Sequence, residues 1–298
     1  MSDKPLKLKI TDVNEAWLAS GRQDRSASIA SRVATRYQIA RYKEKKNVPK
    51  ANGKGKTTVY VYSEGQVKNR NRAKAKRLQE FKPKVEKLRA KVKRDLKSSD
   101  DETRLTALVV ALIDETHERV GSPASSKGEL NDEGEAHFGV SQWLKKHVTF
   151  GEGKATIRYV GKSGVDQEKD VTTPYILSAL RNAVKAAEGK ESRLFEGVTG
   201  EKVNAYLEEF GVSAKDLRGA ACNALCQKAL KRIRSKGGKL PEDKKEREKQ
   251  LKAEFKEALE EVAAEIGHEP STLASQYLAP NMEPQYLKDG TVIERLSD

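Results

Sequence analysis

At 298 residues, with 36% hydrophobic and 34% charged side chains, the chain is long enough to bury a full core and to divide into two domains. It holds no apolar run near the length of a membrane span, and the opening "MSDKPLKLKI" lacks the apolar stretch of a secretory leader, so a soluble intracellular protein is expected. The sequence shows no Walker loop, no H-E-x-x-H motif and no carboxylate cluster suited to magnesium. Cys222 and Cys226 have no second pair to complete a zinc site, so they are read as buried thiols. No metal, nucleotide or other cofactor is expected.

The net charge is +14, and its distribution is uneven. Residues 1–98 hold 28 Lys and Arg against 9 Asp and Glu, a net of +19, whereas residues 99–298 hold 30 against 35, a net of −5. A concentrated basic segment suits a polyanion, because each neutralised phosphate releases counterions and adds affinity. A domain or tail that is merely basic accounts for the charge equally well.

In chain order, "KEKKNVPKANGKGK" (43–56) lacks periodicity and reads as a Gly/Lys loop. "TTVYVYSEG" (57–65) alternates β-forming residues, with Tyr60 and Tyr62 on one face, and turns at Gly65. "QVKNRNRAKAKRLQEF" (66–81) carries Lys68, Arg70, Arg72, Lys74 and Lys76 and then becomes helical. Tyrosines beside this basic run suit a strand laid against a nucleic-acid groove, or two rings packed into a small sheet. From about residue 80 the pattern is mainly helical. "DDETRLTALVVALIDETHERVG" opens with acidic residues fit for a helix start and runs to Gly121. "HFGVSQWLKKHVTF" (137–150) reads as a short helix entering a strand, and "KATIRYVGKSGVDQEKDVTT" (154–173) as a β-hairpin with Lys162 at its bend. Helices are expected over 174–188, 200–210 and 213–235, with a long charged one from about 242 to 266.

Six residues stand out from this background. Arg119 falls at the expected end of an apolar helix, where a cation also neutralises the helix dipole. Lys162 sits at a hairpin tip, an ordinary place for an exposed lysine. Lys215 and Arg218 occupy the first turn of a helix, where cations oppose the dipole, and a phosphate would account for them. His268 lies nine positions before Tyr277 in "IGHEPSTLASQYLAP", where a core histidine and a core tyrosine are the plain alternative.

In this order, the residues resemble the tyrosine-nucleophile enzymes that cut and rejoin DNA. The chain resembles a type IB DNA topoisomerase of the small poxvirus and bacterial kind. The resemblance is carried by "QVKNRNRAK", "ERVGS" around Arg119, "FGVSQWLKKHV", "YVGKSG" around Lys162, "FGVSAKDLRG" around Arg218, "EIGHEPS" around His268 and "SQYLAP" around Tyr277. It implies that Tyr277 attacks a phosphodiester to form a 3′-phosphotyrosyl link. Arg119, Arg218 and His268 would hold the phosphate, and Lys162 would protonate the leaving 5′-oxygen. It further implies DNA contacts from Tyr60, Tyr62, Lys68, Arg70, Arg72, Lys74, Lys145, Lys146 and Lys215. Tyrosine recombinases place a histidine three positions before the second arginine; here Lys215 gives "KDLR", which resembles the topoisomerases. A recombinase or integrase, and a catalytically inactive DNA-binding relative, remain the alternatives. Many relatives carry asparagine after "RVG", where this chain has Ser122.

The expected fold is α+β: a basic β-containing N-terminal domain (1–78) and a mainly helical catalytic domain (79–298) with a short hairpin. Together they are expected to form a C-shaped clamp, monomeric, on double-stranded DNA, with no membrane and no nucleotide partner, wherever the cell or a virus keeps its DNA.

Overall fold

The computed structural model describes residues 43–49, 56–62, 64–127, 136–161 and 164–296, with residues 43–66 described through their backbone alone. The chain separates into two compact units, Met1–Lys74 and Ala75–Asp298. In the first, strands β1 (Lys43–Pro49) and β2 (Lys56–Tyr62) pair antiparallel, with Lys45 opposite Tyr60 and Lys43 opposite Tyr62. This corrects the expected loop at 43–56: its first half is a strand. Its Lys-rich sequence shows no alternation, so the backbone pairing with β2 forms it rather than intrinsic preference. Gly65 is likewise not a turn, because helix α1 already begins at Glu64 and continues to Phe81.

The second unit is built around α3 (Asp101–Thr116), whose residues from Thr106 to Ile113 are all buried. A helix that is apolar on every side belongs in the centre of a fold. The side chain of Asp100 accepts from the Thr103 N–H at 2.8 Å and starts it, as the acidic opening implied. Its end differs from expectation. His117 adopts a left-handed conformation (φ 59°) and closes the helix there, so Arg119 lies beyond the helix rather than in its last turn.

Around α3 pack α2 (Val85–Asp95), α5 (Pro174–Ala186), α6 (Gly200–Glu208) and α7 (Ala214–Lys236). The short α4 (Pro123–Ser126) follows the Arg119 loop, its N-terminus capped by Ser122, whose hydroxyl accepts from the Ser125 N–H at 3.2 Å. Residues 137–147 form two 3-10 turns, Val140–Gln142 and Lys145–His147, in place of the expected helix. A three-stranded antiparallel sheet follows in the order β3 (Val148–Phe150), β4 (Ala155–Val160), β5 (Asp166–Val171). The β4–β5 hairpin is the expected one, with Val160 opposite Asp166; Lys162 at its bend lies outside the described residues.

Two apolar clusters fill this unit. One contains Phe81, Leu108, Leu112, Trp143, Ile157 and Phe195. The other contains Cys222, Cys226, Leu251, Phe255, Leu273 and Tyr286, on α7, α8 (Lys244–Ile266), α9 (Pro270–Gln276) and α10 (Met282–Asp289). Helix α7 belongs to both, giving Ala214 and Leu217 to the first and Cys222 onward to the second. Arg218 sits at this seam. Among the described residues no helix is long and apolar enough to cross a membrane.

Candidate active site

Three separate stretches of chain deliver side chains to the seam. The first is the loop after α3. Its carbonyls at Arg119 and Val120 accept from the N–H groups of Val140 and Ser141, each at 2.8 Å. Gly121 (φ 84°) lies against Gly139 so closely that a β-carbon on Gly139 would stand 2.5 Å from the Gly121 nitrogen. The two glycines of "RVGS" and "FGVS" therefore let two loops touch, and that contact fixes Arg119.

The second stretch is the start of α7. Ser213 and Asp216 form a reciprocal capping box, and Asp216 also pairs with Arg77 at 3.2 Å. This sets the helix so that Arg218, only 4% exposed, points into the seam. Its Nε donates to the carbonyl of His117, the residue that ends α3. The third stretch is the end of α8, where Gly267 (φ 67°) turns the chain and the His268 N–H donates to the Ala263 carbonyl at 2.8 Å. Helix α9 then opens with Pro270 at its start and ends on Tyr277.

These stretches bring Arg119, Arg218, His268 and Tyr277 together. Arg218 donates through Nη1 to the Tyr277 hydroxyl at 3.0 Å, and its Nη2 lies 3.0 Å from His268 Nε2. On the other side of the imidazole, Arg119 Nη2 stands 3.4 Å from Nδ1. The His268 and Tyr277 rings lie in contact, tilted by 33° with their centroids 5.1 Å apart. Both imidazole nitrogens thus face guanidinium groups, which only donate, whereas a neutral imidazole can accept on one nitrogen alone. Arg119, Arg218 and His268 line a cleft of about 630 Å³.

The family model for the catalytic core of eukaryotic DNA topoisomerase I matches residues 63–288, and all four clustered residues fall inside that span. The chain belongs to the DNA topoisomerase I catalytic-core family. The curated proteins contain no match to it. Two solved structures of the XerH site-specific recombinase are similar: a post-cleavage complex bound to palindromic difH substrate and a pre-cleavage complex bound to difH substrate. Each is 17% identical and covers 72% of this chain, with TM-scores of 0.42 and 0.41. The chain spans about half the length of those recombinases, 50% and 52%.

Within this topoisomerase-family core, the remaining predicted residues lie as follows. Lys215 donates to Gln276 at 3.4 Å and stands 5.9 Å from the Tyr277 ring centroid, so it flanks the cluster. Lys145 donates to the Ala187 carbonyl at 2.5 Å and Lys146 pairs with Glu191 at 2.8 Å. Neither residue contacts the cluster in these bonds. Lys68, Arg70 and Arg72 are exposed on α1, and Lys74 is half-buried. Their spacing of two spreads them around a helix, so that Lys68 shares a face with Arg72 and Arg70 with Lys74. Tyr60 and Tyr62 lie on β2, with side chains outside the described residues, as does the whole of Lys162.

The sequence reading missed Asn223. This residue is fully buried one and a half turns after Arg218 and brackets the tyrosine backbone. Its Nδ2 donates to the Tyr277 carbonyl at 2.9 Å, and its Oδ1 accepts from the Ala279 N–H at 2.8 Å. The available signal was a lone amide in the apolar run "GAACNALC".

Proposed function

We propose that the protein is a type IB DNA topoisomerase that relaxes positive and negative supercoils without ATP or a metal ion. The observation that carries this reading is the convergence of Arg119, Arg218 and His268 beside the hydroxyl of Tyr277. The phenolic oxygen of Tyr277 attacks a backbone phosphorus, forming a 3′-phosphotyrosyl ester while the bond to the 5′-oxygen breaks. Negative charge grows on the non-bridging oxygens, and donors of the two arginines and the histidine bind it. Such preorganised donors are worth on the order of 10²–10³ in rate each. Family resemblance gives the general-acid role to Lys162, which delivers a proton to the departing 5′-oxygen. The covalent ester keeps the bond energy, so the freed 5′-hydroxyl can reverse the reaction after the helix has swivelled. The basic N-terminal third supplies a second DNA-binding surface, which in this reading closes a clamp on the duplex.

The test is relaxation of supercoiled plasmid with EDTA present and ATP absent, comparing wild type with Tyr277→Phe. Relaxation by wild type, with an SDS-trapped covalent adduct absent from the variant, supports the reading. Plasmid retardation without relaxation by either protein would favour an inactive DNA-binding relative.

A further inference from the structure

Strand β5 alternates strictly: Asp166, Glu168 and Asp170 are exposed, while Gln167, Lys169 and Val171 are buried. A lysine on the inward face of a strand needs partners, because an isolated buried ammonium is costly. Lys169 has two. It donates to the carbonyl of Glu265 at 2.6 Å and pairs with the Glu118 carboxylate at 3.5 Å, with side-chain exposures of 10% for Lys169 and 7% for Glu118.

Both partners adjoin the cleavage cluster. Glu118 immediately precedes Arg119, whose backbone N–H donates to the same carboxylate at 3.3 Å. Glu265 lies in the last turn of α8, three residues before His268, where carbonyls lack helical partners and a cation is favoured. One ammonium therefore joins the hairpin strand, the Arg119 loop and the helix end that presents His268. Gln167 reinforces the same junction: a β-carbon on Gly267 would stand 2.2 Å from its Oε1, and one on Gly161 2.8 Å from its Cγ.

We propose that Lys169 is a positioning residue for the cleavage reaction, holding Arg119 and His268 at the separation that a shared phosphate requires. This deepens the topoisomerase reading and rests on it. Lys169 touches neither DNA nor the reacting atoms in this scheme. Its effect comes through Glu118 on one side and the α8 terminus on the other, and a displacement near 1 Å at such a centre costs on the order of 10²-fold in rate.

Lys169→Met alone strands Glu118 as a buried unpaired charge and can unfold the protein. The decisive variant is therefore the double substitution Glu118→Gln with Lys169→Met, which removes both charges. Three quantities are read: the thermal midpoint, duplex affinity by gel retardation, and the single-turnover rate of covalent adduct formation on plasmid. The expected double variant folds and binds duplex as wild type does, yet forms adduct about 10–100-fold more slowly. Glu118→Gln alone keeps the ammonium and its bond to the Glu265 carbonyl, and it loses several-fold less. A folded double variant with the wild-type rate overturns the proposal, as does a rate loss matched by an equal loss of duplex affinity. Absence of adduct from the wild-type control overturns the cleavage reading itself and this proposal with it.

Discussion

Arg218 and Tyr277, 59 positions apart in sequence, meet through a guanidinium–phenol hydrogen bond of 3.0 Å in a buried seam. The arginine is fixed at its other end by the His117 carbonyl, so the end of α3, the start of α7 and the end of α9 meet at one side chain. The same fork also faces His268.

That fork geometry makes Arg218 intolerant of a point charge. Arg218→Ala is expected to slow adduct formation on the order of 10²–10³-fold. Arg218→Lys should recover little of this, since an ammonium cannot span three partners held by a planar group. Single-turnover cleavage by both variants checks it, and full activity in the lysine variant would refute the fork argument.

Asn223 is fully buried, and truncating it orphans the Tyr277 carbonyl and the Ala279 N–H. Leaving one buried polar group unsatisfied costs about 1–3 kcal/mol. Asn223→Ala should therefore lower stability in urea by at least that amount. It should also slow cleavage through a loosened tyrosine, with little change in duplex affinity.

Gly139 has backbone atoms of Gly121 and Arg119 within 2.6 Å of where a β-carbon would go. Gly139→Ala must push the Arg119 loop outward, at a stability cost of about 1–3 kcal/mol. The cleavage rate should fall while Arg218 and Tyr277 stay paired. A crystal structure of the variant would show whether Arg119 alone has moved.

Two histidines outside the cluster predict a pH dependence. Burial is the main cause that lowers the His147 pKa, to about 4, with the neighbouring Lys146 charge acting in the same direction. His147 Nδ1 accepts from the Leu144 N–H at 3.1 Å, which favours the neutral ring. Burial lowers the His117 pKa too. The unfolded chain binds these protons more readily than the folded one, so stability rises with pH between about 4 and 6.5 and is lost on acidification through that window. His147 contributes a slope of at most about 1.4 kcal/mol per pH unit. Urea melts from pH 4 to 7 measure it, and a flat profile would contradict the buried neutral ring.

What was legible in the sequence was local. The acidic opening of α3, the start of α7 at Ser213, the β4–β5 pairing and the end of α8 at Ile266 are set by a few neighbouring residues, and the structure has each one. The four clustered residues were legible by their order and local motifs alone. Of the local inferences that failed, two did so for opposite reasons. Apolar periodicity ran α3 on to Gly121, whereas the chain turns at His117, where tertiary bonds draw the backbone toward Arg218 and residues 140–141. The Lys-rich stretch at 43–49 has no strand signal of its own and is a strand because β2 pairs with it.

The sequence by itself determined most of the helices and the β4–β5 hairpin, the charge asymmetry and the residue types fit for phosphate chemistry, because propensity, capping and charge act over a few residues. Only the tertiary structure decided which of those residues meet. Asn223, Glu118 and Lys169 are an ordinary amide, acid and base until the chain folds. Folding then strips them of water, and a buried polar group must take its partner from whatever distant segment packs against it.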